Sequence, residues 1–287
     1  MDGAVYKGVL THTGGKTFLQ GQDDVRHLED EIIWKGYVAH FNGLAVCARR
    51  LPQRDYETGS PIIIMWPDVP AADESTVEIY FNERLVKYPT SFLGHMAVNV
   101  GGEIFNFSHL INENEVLKSE EYFFRPALGE FAPHPVYGHD NTDDPQKPYY
   151  DKFGRLFMRT IHVLRITGLD TQKFSQLFHD ELDKIKNTPT DPKKPGEYKD
   201  FNILTNSCST IIRDGFKKYG FKNSRGIFPR DLFVNISYFF LKQLENPNIK
   251  ASLARLYQLP VPEAAPSAMP PLLNPRNLVK QRILQSP

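Results

Sequence analysis

TNSCSTIIRDGFKKYGF (residues 205–221) has the pattern of an amphipathic helix, and one of the chain's two cysteines stands at its start. Asn206 and Ser207, just ahead of Cys208, are residue types that cap helix N-termini. On a 3.6-residue period the cysteine shares the buried face of this helix with Ile211, Ile212, Gly215, Phe216 and Tyr219. The sequence therefore predicts a thiol at the buried corner of a helix N-terminus.

A cysteine in this position can act as a nucleophile. The free N–H groups and the dipole at a helix N-terminus favour negative charge, so we expect the thiol to lose its proton more easily there. The same N–H groups can hold the oxyanion that forms when a carbonyl is attacked, which places Asn206 and Ser207 near an oxyanion hole. The competing interpretation is inert packing, because cysteine is among the most buried residue types. Cys47, in the middle of a strand pattern, is interpreted in that way.

A nucleophilic thiol needs a base, and His95 stands out among the nine histidines. It begins the apolar run HMAVNV, which turns at a pair of glycines into EIFNF and so predicts a β-hairpin. A base on a rigid strand that faces a nucleophile on a helix end is the geometry of a Cys–His pair. A third group should orient the imidazole, and the return strand offers Asn106, with Ser108 and His109 as alternatives. Taken alone, a strand histidine is more often a hydrogen-bonded core residue.

The run HPVYGHD (residues 134–140) offers metal-ligand residue types, which makes a metal site an alternative interpretation. His134 and His139 are five residues apart and Asp140 is adjacent. This spacing is loose, and no second cluster of ligand types accompanies it. We therefore expect neither a metal nor another cofactor.

The composition indicates a folded and electrically balanced chain. The 287 residues are 40% hydrophobic, and 34 lysines and arginines match 34 aspartates and glutamates. A net charge of zero argues against broad nucleic-acid binding, which needs an excess of cations. The first residues lack the pattern of a secretory signal, and no apolar run approaches the ~20 residues of a membrane span. We therefore expect a chain that is cytoplasmic as synthesised and has no integral membrane segment.

An α+β fold in three consecutive parts is predicted. Residues 1–70 form a small β-rich module, with an OB-like barrel as one fitting architecture, because AVYKGVLT, EIIWKGYVAHF, LAVCARRL and PIIIMW read as strands. The pair Asn42-Gly43 predicts a hairpin turn inside this module. Residues 76–250 form the main domain, with antiparallel strands, packed helices and two long loops over 126–155 and 187–199. Residues 251–287 form a Pro-rich C-terminal tail, in which residues 260–275 are expected to be extended.

SFLGHMAVNVGGEIFNFS, followed by FNILTNSCSTIIRDGF and then GIFPRDLF, resembles the circularly permuted papain-like thiol hydrolases. This is the permuted NlpC/P60 group, which includes the lecithin:retinol acyltransferase relatives. In that group a histidine begins a strand, a hairpin follows, and the nucleophilic cysteine opens a later helix. The resemblance covers residues 85–245 and implies a permuted papain-like domain in which His95 is the base, Cys208 the nucleophile and Asn106 the third member.

Two departures from the family pattern concern the site. The chain has N-S-C where the family has N-C, so Asn206 is displaced by one residue. Asn106 stands where histidine or glutamate is more usual, which keeps Ser108 and His109 open as third members.

The resemblance implies a cysteine hydrolase that acts on an amide or ester carbonyl. A peptidase or amidase is favoured, because this chain lacks the membrane-anchoring apolar tail of some lipid-acting relatives. Cell-wall peptides are among the family's substrates, and a leaderless chain with an added β-rich module would suit a toxin exported by a specialised secretion system. Two alternatives stay open. One is a lipid acyltransferase or thioesterase of the same fold, and the other is a non-catalytic protein that binds a protein partner through its N-terminal module or Pro-rich tail.

Overall fold

A computed structural model describes residues 4–54, 58–70, 74–86, 91–109, 113–126, 154–191, 194–198 and 200–285. The chain divides into two compact units. The first comprises residues 1–70, 120–157 and 261–264, and the second comprises residues 71–119, 158–260 and 265–287. Both units contain antiparallel sheets and helices, which confirms the α+β class.

The first unit contains residues that the sequence assigned to the main domain and to the tail. Its opening segment ends at Pro70, as predicted, but the chain returns to it twice. Arg49 donates to Glu120 at 3.1 Å and also pairs with Glu121, and Trp34 Nε1 donates to Glu263 at 3.3 Å. These long-range contacts bring distant segments into one unit, so the division into three consecutive parts is wrong.

The first unit is β-rich, as predicted. Its strands are β1 (Tyr6–Thr13), β2 (Lys16–Gln20), β3 (Arg26–His27), β4 (Ala45–Arg54) and β5 (Pro61–Pro67), paired antiparallel in the order β3-β2-β1-β4-β5. An OB-like barrel would need β3 and β5 to close the sheet. The described residues hold these two strands at its opposite edges.

The segment EIIWKGYVAHF is not a strand, which corrects the sequence-based prediction. It contains the helix α1 (Lys35–Phe41), and Asn42 is its C-cap, so Asn42-Gly43 joins a helix to β4 instead of two strands of a hairpin. Trp34, Tyr37 and Phe41 follow a helical spacing of three and four residues. The Tyr37 ring packs edge-on against Trp34 at 5.2 Å, and its hydroxyl donates to the Phe124 carbonyl. Tertiary burial on one helical face therefore outweighs the strand preference of these aromatic residues.

The second unit is built on a six-stranded antiparallel sheet. Its strands are β6 (Thr76–Asn82), β7 (His95–Val100), β8 (Glu103–Asn106), β9 (Glu115–Leu117), β10 (Ile161–Thr167) and β13 (Lys250–Leu256), in the order β13-β10-β6-β7-β8-β9. The predicted hairpin is confirmed as β7 and β8, in which Ala97 pairs with Asn106. In the same register Asn82 of β6 pairs with both His95 and Ile161. The last residues of β6 and β8 therefore lie beside the first residues of β7 and β10. They share the end of the sheet at which β7 begins.

Helices cover one face of this sheet. They are α4 (Thr171–Asn187), α5 (Cys208–Tyr219) and α6 (Pro229–Tyr238), the last continued by a π-helical turn (Phe239–Gln243). Asp170 caps α4 by accepting from the Lys173 amide at 2.9 Å. The apolar stripes of these helices pack on the sheet in one core that includes Ile79, Val98, Leu164, Phe178, Ile212, Phe216 and Ile236. A Cβ at Gly215 would lie 2.6 Å from the Phe178 ring, so glycine permits the close packing of α5 on α4.

The predicted tail, residues 251–287, contains regular structure at both of its ends. Residues 250–256 form β13, which pairs with β10, and the chain ends its described part in α7 (Arg276–Gln285). The Asp231 carboxylate of α6 accepts from the Leu273 amide at 3.0 Å and from the Asn277 side chain at 2.6 Å. Residues 273–277 are therefore bound to α6, whose buried carboxylate accepts their N–H groups.

The two predicted loops differ in outcome. Within 187–199, β11 (Thr190–Asp191) and β12 (Lys194–Tyr198) pair as a small antiparallel sheet, so that loop prediction is wrong in part. Most of the loop over 126–155 lies outside the described residues. In the described part of the chain, every helix is too short or too polar to cross a bilayer.

Candidate active site

His95 and Asn106 meet at the edge of the sheet where β7 begins and β8 ends. The two residues project from the same face, since Asn106 pairs with Ala97, two positions after His95. His95 Nε2 lies 2.7 Å from Asn106 Oδ1. Asn106 is only 2% exposed, so water cannot easily compete for this bond.

The Asn106 amide determines which imidazole nitrogen carries the proton. Its Nδ2 donates to the Glu113 carbonyl oxygen at 2.7 Å, which turns Oδ1 toward His95. An amide oxygen only accepts, so His95 Nε2 must be the donor. In the neutral ring Nδ1 is then the basic nitrogen. Asn106 thus orients the imidazole without adding a negative charge.

The other two candidates for the third position have different contacts. The Ser108 hydroxyl donates to the Glu113 carboxylate at 2.6 Å, and the Ser108 amide donates to Asn114 Oδ1 at 3.0 Å. The His109 ring packs beside Phe201, with 5.7 Å between the ring centres. These contacts favour Asn106 as the residue that orients His95.

Cys208 is the first residue of α5, as the sequence predicts. Ser207 is the N-cap: its side chain accepts from the Thr210 amide, and its own amide donates to Thr210 Oγ1 at 2.7 Å. The first intrahelical bond runs from Ile211 to the Ser207 carbonyl at 2.9 Å. The amides of Cys208 and Ser209 thus have no carbonyl acceptor inside the helix.

Asn206 belongs to the turn that leads into the helix. Its amide donates to the Asn202 carbonyl at 2.7 Å, and its side chain donates to the Asp200 carbonyl at 3.1 Å. Asn206 therefore shapes the turn before Cys208. The N–H donors nearest to the sulfur are backbone amides.

The sulfur of Cys208 lies against the start of β7. The amides of Met96, Ser209 and Cys208 itself are placed to donate to it. Met96 directly follows His95, so the sulfur lies against the backbone one residue after the histidine. Burial nevertheless raises the pKa of the Cys208 thiol, and these three amides offset that effect only in part. The pKa of this thiol is therefore raised, whereas its position at a helix N-terminus led us to expect a lowered one.

We expect alkylation of Cys208 by iodoacetamide to rise with pH along a curve whose midpoint lies above that of a free thiol. A raised pKa leaves less thiolate at every pH below it, and the thiolate is the species that is alkylated. Peptide mass spectrometry of the folded chain between pH 6 and 10, on the order of the range around a thiol pKa, measures this curve. A rate plateau already present below pH 7 would contradict it and indicate a thiolate–imidazolium pair with His95.

Cys47 supplies the internal control for that measurement. It is a free thiol, only 4% exposed, and donates to Asp68 at 3.2 Å. Burial and the neighbouring carboxylate raise the pKa of the Cys47 thiol to about 11. We therefore assign Cys47 to packing, as the sequence indicated.

Arg159 is a residue of this site that sequence reasoning missed. It is 4% exposed and donates to the Glu83 carbonyl at 3.2 Å. It precedes β10 by two residues, and β10 begins opposite Asn82, the residue that also pairs with His95. Its positive charge lowers the pKa of Cys208, although less than burial raises it. The sequence does carry a signal for this residue, since Arg159 is a charged residue inside the largely apolar run LFMRTIHVL (residues 156–164).

The alternative metal site receives no support from the described residues. His134, His139 and Asp140 lie outside them. Within the described ranges, no group of three or more histidine, cysteine, aspartate or glutamate side chains is arranged to hold a metal ion.

Comparison with known proteins adds no relative to this description. No protein-family model matches the chain, and neither the curated proteins nor the solved structures that were searched contain a match.

Proposed function

We propose that this protein is a cysteine hydrolase of the permuted papain-like type, with Cys208 as nucleophile, His95 as base and Asn106 as orienting residue. The observation that carries the proposal is the 2.7 Å bond between His95 and Asn106 at the strand end against which the Cys208 sulfur lies. A nucleophile, a base and a group that orients the base are the three parts that covalent acyl transfer requires.

In the first step the Cys208 sulfur attacks the carbonyl carbon of an amide or ester. Burial raises the pKa of the resting thiol, so its proton must leave during the attack. His95 accepts it on Nδ1, because Nε2 keeps its own proton in the bond to Asn106. The carbonyl π electrons move to oxygen, and the amides of Cys208 and Ser209 donate to the resulting oxyanion.

The tetrahedral intermediate then collapses. Its carbon–nitrogen or carbon–oxygen bond breaks, His95 gives its proton to the leaving group, and a thioester remains on Cys208. A water molecule, deprotonated by His95, attacks this thioester. The carboxylic acid leaves, and the proton returns to the sulfur, so the site is restored without an external reductant or cofactor.

The proposed substrate is a peptide or another amide. The same acyl-transfer chemistry would act on a lipid ester or thioester, which is the alternative substrate class. Cell-wall peptides, and delivery of the protein as a toxin, belong to the proposal only by analogy with the family. Parallel assays of peptidoglycan fragments, acyl lipids and ubiquitin-like conjugates would separate these substrate classes.

The proposal is tested by trapping the thioester. We expect p-nitrophenyl acetate to leave one acetyl group on Cys208 of the full chain, with a burst of p-nitrophenol. Intact-protein mass spectrometry and peptide mapping locate the group. Cys208→Ala should form no such adduct, whereas Cys47→Ala should retain it. A wild-type chain that acquires no more acetyl than Cys208→Ala would refute the hydrolase and favour the non-catalytic binding protein.

A further inference from the structure

The C-terminal strap, residues 265–277, runs along the sheet edge that carries His95. Ser267 lies at its first anchor: its hydroxyl donates to Glu83 Oε2 at 2.9 Å and accepts from the Thr160 amide at 3.0 Å. Ala268 and Arg84 exchange two backbone hydrogen bonds, of 3.0 and 3.1 Å. The strap is thereby joined to the chain just after β6 and just before β10.

Further along the strap, Pro270 lies near the turn at Gly94, which directly precedes His95. Gly94 has a φ of +77°, and a Cβ there would lie 2.5 Å from the Asn82 carbonyl oxygen and 3.3 Å from Pro270 Cγ. Pro270 is buried, and its carbonyl accepts from Arg230 of α6. The Pro270 ring therefore occupies the space next to the Gly94 turn.

The strap also connects to the part of the molecule that holds Cys208. Arg230, which binds Pro270, lies in the first turn of α6. Just before that helix, the Ile227 carbonyl accepts from the hydroxyl of Ser209, the residue next to the nucleophile. One continuous set of contacts thus links the turn before His95 to the start of α5.

We propose that Pro270 is a positioning residue for His95. This inference rests on the proposed role of His95 as the base. Pro270 lies beside the Gly94 turn and would restrict its backbone, which keeps the imidazole aligned with Asn106 and with the sulfur. A misplacement of about 1 Å far from the reacting atoms can cost about 100-fold in rate, so a single packing residue can matter here.

The test is Pro270→Gly in the full chain, with Pro266→Gly as the matched control. Pro266 is an exposed residue of the same strap, so both variants gain the same backbone freedom in the unfolded chain. We expect Pro270→Gly to lower kcat for p-nitrophenyl acetate roughly 10- to 100-fold with little change in KM. Pro266→Gly should retain the wild-type rate.

A second measurement does not depend on activity. The ¹⁵N chemical shifts of the His95 ring report which nitrogen holds the proton. In wild type and Pro266→Gly they should show the Nε2–H tautomer, and in Pro270→Gly a mixture of both tautomers. Ring shifts of Pro270→Gly equal to those of Pro266→Gly would overturn the positioning role, even if the wild-type chain hydrolyses nothing. Inactivity of the wild type with a tautomer change in Pro270→Gly would instead overturn the hydrolase alone.

Discussion

His95→Ala should lower the rate of acylation of Cys208 by p-nitrophenyl acetate about 10²- to 10⁴-fold, the range that a general base contributes. The effect is large because burial raises the pKa of this half-buried thiol, so its proton needs an acceptor during the attack. Stopped-flow measurement of the p-nitrophenol burst in the full chain gives this rate. Since a thiolate formed by hydroxide does not need the imidazole, the loss should shrink as the pH rises toward the thiol pKa.

Substitutions of Asn106 and Ser108 separate two of the candidates for the orienting residue. Asn106→Ala should slow acylation less than His95→Ala, because it removes the orientation of the base but keeps the base itself. Ser108→Ala is the matched control, since its hydroxyl binds Glu113. A full rate in His95→Ala would remove His95 from the mechanism. A larger loss in Ser108→Ala than in Asn106→Ala would reassign the third position.

The parts of the site that could be predicted from the sequence are those with local signals. Alternating apolar residues around a glycine pair indicate the hairpin, and its register alone places Asn106 on the face of His95. Capping residue types ahead of an apolar helical pattern indicate the start of α5 at Cys208. These features depend on residues within about a dozen positions of one another, so periodicity and turn chemistry are sufficient to find them.

The features that the sequence did not predict depend on contacts between distant residues. Arg159 reaches the site only because β10 pairs with β6, a register between segments about 80 residues apart. Pro270 lies beside Gly94 through a strap that composition alone marks as an extended tail. The raised pKa of the Cys208 thiol also depends on distant residues. Burial by the surrounding structure raises it more than the nearby backbone amides lower it. Local patterns thus identify the reacting groups, whereas long-range packing sets their environment.

Phe178→Ala should lower the free energy of unfolding by about 3–5 kcal/mol, the usual cost of removing a buried aromatic ring. The Phe178 side chain is fully buried, and its ring lies 5.4 Å from Phe105 and 6.0 Å from Phe107, between centres. The cavity would open beneath the strand that ends in Asn106, so the site should loosen as the core weakens. Urea unfolding followed by circular dichroism measures the change. Phe92→Ala is the control: Phe92 is 49% exposed, and its loss should cost less than about 1 kcal/mol. Equal midpoints for the two variants would contradict the assignment of Phe178 to the core that supports the active site.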